Sequence, residues 1–202
     1  MGDGTNVTTP GPRALRALAH PTRLRLLGLL RSDGPATATA LAARLAINSG
    51  QTSYHLRQLA QHGFIEDDPS ATGVGRERWW RAAHTSTSYG DEGPHGTADV
   101  DDPAVRDAVG AFLQAVAIVH GEQVQRAVEE RDLLPDQWRA VSVLADWQLR
   151  LTPRRAAALV AALEAVVEET EPDDDGDGAA DVVVQLAAFP RPGVLTDRGP
   201  AW

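Results

Sequence analysis

Leucines recur at helical spacing through the first third of the chain. RALRALAH sets Leu15, Leu18 and Ala19 on one side of a short helix. Pro21 closes it, because the residue before a proline is driven out of the helical region, and Pro suits the first position of a new helix. That next helix, PTRLRLLGLLR, turns Leu24, Leu27 and Leu30 inward and Arg23 and Arg25 outward, and Ser32-Asp33-Gly34-Pro35 stops it. TALAARLA follows, with Thr39 as its N-cap and Leu41 and Leu45 as its buried residues. A turn at Ile47-Asn48-Ser49 leads into SGQTSYHLRQLAQHGF. With Asn48 as N-cap, Thr52, Leu56 and Leu59 form one narrow inward stripe, while Gly50, Gln51, Tyr54, Arg57, Gln58 and Gln61 fan out opposite. Gly63 ends this helix in the left-handed conformation that glycine adopts at least cost. FIED and RERWWRA then read as two strands of a hairpin whose long tip is DPSATGVG.

From Ala83 the periodicity disappears, and HTSTSYGDEGPHGTAD has the composition of a linker. Asp102-Pro103 opens a long helix running to about Asp132, with Val105, Val109, Phe112, Val116 and Val119 as a seam suited to another helix. DWQLRL alternates as a half-buried strand does, Thr152-Pro153 starts the helix RRAAALVAALEAVVEE, and DVVVQLAAF reads as a second apolar strand. The expected organisation is a tail at 1–11, a helical and hairpin domain at 12–82, a linker at 83–101, a dimerisation and candidate effector domain at 102–190, and a tail at 191–202. The class is mostly α with a small β component, α+β, with the C-terminal part carrying a long helix and a short βαβ-like unit.

Helix, helix, tight turn, a glycine-terminated helix with a polar front, then a long-tipped hairpin is the order of a winged helix-turn-helix. In that arrangement the polar helix anchors one stripe on its scaffold and presents donors and acceptors to base edges in the major groove. Gln51 suits adenine, Arg57 suits guanine or a phosphate, Ser49 and Ser53 suit phosphates, and Tyr54 suits a phosphate or a thymine methyl. Gly50 lets the backbone come close. On the wing, Arg76 and Arg78 share a strand face near the tip and suit backbone or minor-groove contact, against the opposing charge of Asp67 and Asp68.

AHPTRLRLLGLLR, ATATALAARLAINSGQTSYHLRQLAQHGFIE and GRERWWR together resemble the ArsR family of dimeric bacterial winged-helix transcription regulators, over roughly residues 12 to 82. The resemblance implies DNA contact by Ser49, Gln51, Tyr54 and Arg57, a wing carrying Arg76 and Arg78, and repression by blocking promoter access. It also implies a homodimer formed through RALRALAH and the long helix from Pro103. His55 lies near the inner stripe and is expected to pack or hydrogen-bond there. The chain departs from the family where that family senses thiophilic metals. TALAARLA has no cysteine pair, and the long helix holds one histidine, His120, so arsenic and cadmium are excluded on ligand chemistry and no zinc is expected.

Charge sharpens this picture. The net charge of -9 hides an asymmetry: residues 12 to 82 hold ten Arg against five acids, and residues 83 to 202 hold nine Arg against twenty-two. A basic half suits double-stranded DNA, and an acidic half would repel it and bias docking to the basic face. All nineteen basic residues are Arg, a bias that a GC-rich genome alone produces. The absence of cysteine removes disulfides, thiolate metal sites and thiol catalysis. PDDDGDGAADV orders Asp173, Asp175, Asp177 and Gly178 as a calcium loop does, but Val184 stands where the bidentate Glu belongs, so a solvated acidic turn is expected. No Ser-His-Asp set, phosphate loop or carboxylate pair points to an enzyme, and no cofactor is implied. The aromatic residues Phe112, Trp138, Trp147 and Phe189 are either core or the lining of an effector pocket for a small molecule. No export signal or membrane span is evident, and a cytoplasmic protein is expected. The competing readings are a winged helix used for protein contact and a ligand-binding module without a DNA role.

Overall fold

The computed structural model describes residues 7–8, 10–69, 77–87, 102–173 and 178–195. The chain divides into two compact units, 1–134 and 135–202. In the first, β1 (Val7–Thr8) precedes α1 (Pro12–Leu18), α2 (Pro21–Ser32), β2 (Ala36–Thr37), α3 (Ala38–Leu45) and α4 (Ser49–Gln61). Then come β3 (Ile65–Asp67), β4 (Trp79–Ala82), β5 (Ser86–Thr87), α5 (Pro103–Glu130) and a short 3-10 turn at Arg131–Leu133. The three helices, the α3–α4 turn and the β3–β4 hairpin make this a winged helix-turn-helix of mostly helical α+β class.

Local chemistry sets the helix boundaries. The His20 ring accepts the Thr22 amide at 3.2 Å and caps α2. α3 begins before the expected Thr39 cap: Thr37, the last residue of β2, is extended, and its hydroxyl accepts the Ala40 amide at 3.2 Å. Thr39 instead donates to the Glu77 carboxylate at 3.1 Å. β2 is absent from the local pattern because two residues carry no periodicity. It pairs antiparallel with β4, Thr37 opposite Trp79, and β4 pairs on its other edge with β3, Ile65 opposite Ala82. β1 and β5 pair in parallel, so part of the expected tail and part of the expected linker meet in a ladder. The hairpin tip at 70–76, with Arg76, and most of the linker, 88–101, lie outside the described residues.

One core gathers Leu15, Leu18, Leu26, Leu27, Leu30, Leu41, Leu56, Leu59, Phe64, Ile65 and Trp80. α5 closes it. The seam expected on this helix is buried at Val105, Phe112 and Val119, together with Ala108 and Ala115, and it packs chiefly on α1. Two polar ties fix the docking: Arg16 donates to the Ala104 carbonyl at 3.0 Å, and Arg25 on α2 grips Glu122 through two nitrogens at 2.6–2.9 Å. Arg31, in the last turn of α2, donates to the His84 carbonyl and the Thr87 hydroxyl, and burial pushes its guanidinium down to about 10.

The second unit contains α6 (Asp136–Val141) and α7 (Pro153–Glu169). α7 forms where the pattern placed it, capped by Thr152. The flanking segments read as strands, DWQLRL and DVVVQLAAF, join no β-ladder among the described residues, so the βαβ-like unit lacks its sheet. Alternation marks a segment able to pair. Its partner must come from elsewhere in space.

Leu56 is fully enclosed at the rear of α4. Leu56→Ala should lower unfolding stability by about 2–5 kcal/mol in urea titrations. A loss below about 1 kcal/mol would mean that this helix is not seated on the core as described.

Candidate nucleic-acid interface

α4 owes its position to both of its faces. Thr52, His55, Leu56 and Leu59 are buried on the rear. Asn48 holds the amino end, its side-chain oxygen accepting the Gly50 amide at 2.8 Å and that of Gln51 at 3.4 Å. Gly63 leaves the helix at φ +75°, a value that favours glycine. The front therefore carries Ser49, Gly50, Gln51, Tyr54 and Arg57, all exposed, with Ser53 half-buried at its margin; Tyr54 is 54% exposed. Gly50 has a local reason to be glycine: a Cβ there would stand 3.0 Å from the Asn48 side-chain oxygen.

The wing meets this front at its base. A cleft of about 230 Å³ is lined by Thr39, Ser53, Arg57, Glu77, Arg78 and Trp80, among others. Arg57 and Arg78, assigned to different elements, thus border one hollow. Arg78 is not a free cation: it pairs with Asp67 across the hairpin, lies 3.9 Å over the Trp80 ring, and has its pKa raised by the Asp67 carboxylate. Asp67 is held below the usual carboxylate range by the same bond. Arg81 pairs with Glu66 at 2.7 Å. The opposing acids therefore hold Arg78 and Arg81 in cross-strand pairs and temper their charge.

Behind the front, His55 has the surroundings that the inner stripe implied but no hydrogen bond. It is 4% exposed, and neither ring nitrogen has a partner among the described residues. The His20 ring lies 4.6 Å away and Tyr54 packs edge-on at 5.5 Å. Burial, then His20, then Arg23, hold the His55 pKa below its ordinary value. Burial, then Arg23 and Arg25, do the same for His20. No signal short of three-dimensional proximity pairs these two histidines.

The aromatic residues proposed for an effector pocket are placed differently. Phe112 is a core residue of the first unit, packed with Leu15 and Leu18. In the second unit Trp138 is half-buried, and Trp147 and Phe189 are exposed. Of the acidic run, Asp175 and Asp177 lie outside the described residues. No described helix is long and apolar enough to cross a membrane.

A family model described as a helix-turn-helix domain matches residues 18–68, which run from the end of α1 to just past β3. No curated protein matches the chain. Among solved structures, the chain is similar to Lactococcus lactis ZitR, a C30AH42A mutant in apo form, at 17% identity over 74% of this chain and 80% of that one. The TM-score is 0.29, too low to equate the two backbones.

The paired histidines make stability depend on pH. In the folded chain both imidazoles resist protonation, whereas in the unfolded chain each takes a proton near pH 6.5. Below about pH 6.5 the unfolded state therefore binds more protons, and stability falls with falling pH. Urea midpoints should be flat above about pH 7.5 and drop towards pH 5.5. A His20→Asn, His55→Gln double variant, which keeps a capping oxygen at position 20, should show a shallower drop. An unchanged slope would refute the assignment.

Proposed function

We propose that the protein is a DNA-binding transcription regulator of the ArsR type, acting as a dimeric repressor on a near-palindromic operator. The observation that carries this reading is the front of α4. Gln51, Tyr54 and Arg57 stand outward on a helix whose rear is locked into the core, within a helix-turn-helix domain. A single helix of this kind fits the major groove, where an amide reads adenine and a guanidinium reads guanine. Ser49 and Ser53, with the amino end of the helix, suit flanking phosphates. On the wing, Arg78, and by the sequence pattern Arg76, suit the adjacent backbone or minor groove, Arg78 once its pairing with Asp67 is exchanged for a phosphate.

A two-fold pair would set two such helices one DNA turn apart, roughly 34 Å. The pairing rests on the family resemblance; on α5, Leu113 and Ile118 are each 49% exposed, on opposite flanks of the seam that the helix buries. The acidic residues from 83 onward oppose DNA, so docking is confined to the basic segment 12–82 and affinity falls steeply with salt.

Gel shifts on the promoter of the protein's own gene and on genomic fragments test this. Wild type should shift a specific fragment, and Gln51→Ala with Arg57→Ala should lose that preference, each lost base contact costing about 1–3 kcal/mol, while the native fold is retained. Absence of any shift by wild type at low salt removes the proposal. On the wing, Asp67→Asn releases Arg78 and removes a negative charge, so DNA affinity should rise and its salt dependence steepen. Unchanged binding would remove Arg78 from the contact surface.

A further inference from the structure

Helix α7 breaks two local rules at once. Its charges oppose its own dipole: Arg154 and Arg155 stand in the first turn and Glu168 and Glu169 in the last, with no acid at the first end and no base at the second. None of the four is in an ion pair among the described residues. Its apolar side chains also stay bare, with Leu163 42%, Val166 65% and Val167 52% exposed. In the same unit Trp147 is 79% exposed and Phe189 70%. Val182, Val183 and Val184 are exposed as well, and each aromatic ring buries about 150–250 Å² when covered.

The spacing along α7 says what covers it. Ala156, Leu159, Leu163 and Val166 advance by three, four and three residues, the seam of a two-helix coiled coil. Arg155, Ala162 and Glu169 lie along one flank of that seam, seven residues apart, and Val160 and Val167 lie along the other. When two such helices run antiparallel, like flank meets like flank. The two-fold axis then passes beside Ala162 on one flank and Val160 on the other, Arg155 faces Glu169 of the second copy, and Val160 meets Val160 of the second copy. Each charged end also meets the helix terminus it complements. A parallel pair would stack arginine beside arginine at one end and glutamate beside glutamate at the other. We propose that α7 is a self-association helix that pairs antiparallel with α7 of a second copy of this chain. The proposal goes beyond the DNA reading and does not depend on it.

The chain contains no cysteine, so single introduced thiols report contacts directly. In the full-length protein, Ala162→Cys should oxidise to a covalent dimer on non-reducing gels. Arg155→Cys alone should stay uncrosslinked, and co-expressed Arg155→Cys and Glu169→Cys chains should crosslink to each other. Circular dichroism checks that each variant keeps its helices, and for a variant that loses them the seam pair of co-expressed Leu159→Cys and Leu163→Cys chains takes its place and should crosslink. Failure of Ala162→Cys to crosslink overturns the proposal, since the surface would then belong to another occupant. Self-crosslinking of Arg155→Cys overturns the antiparallel sense. Neither result alters the gel shifts, so the two readings fail separately.

Discussion

The seating of α4 on the leucine core governs the rest of the first unit. Thr52, Leu56 and Leu59 contribute no chemistry to a partner, yet their burial decides which residues can. Because an α-helix advances 100° per residue, fixing three positions inward fixes Gln51, Tyr54 and Arg57 outward with no further interaction required. Asn48 and Gly63 bound the helix at either end, so its register cannot slip by a turn without losing a cap. The polar front is a by-product of apolar burial behind it.

α5 extends the same logic across a long sequence separation. Phe112 and Ala108 complete a core begun at Leu15, and Arg25 reaches across to Glu122. The helix that follows the wing is thus bound into the unit that holds the polar front of α4. It packs on α1 and α2, and α2 in turn packs on α4.

What could be read before the fold was known is what local chemistry decides. The spacing of Leu56 and Leu59, the Asn48 cap and the Gly63 terminus are all written within one helix length, and the structure repeats them. The strand β2 was illegible because its two residues act only through pairing with Trp79 and Trp80, distant in sequence. Thr39 lost its cap role for the same reason, since the chain is already extended at Thr37. DWQLRL and DVVVQLAAF alternate as strands do, but alternation specifies a face and names no neighbour. Phe112 looked free to line a pocket because its seam could have faced any helix, and the structure shows that it faces α1. The His20–His55 contact joins two helices and leaves no mark in either.

The glycine at the start of α4 has a consequence for how this surface can diversify. With the Asn48 carboxamide 3.0 Å from where a methyl would sit, a side chain at position 50 requires the cap to give by a few tenths of an ångström. On the function proposed above, a surface with altered specificity would keep the Asn48 cap beside Gly50 and change the amide, phenol and guanidinium at positions 51, 54 and 57.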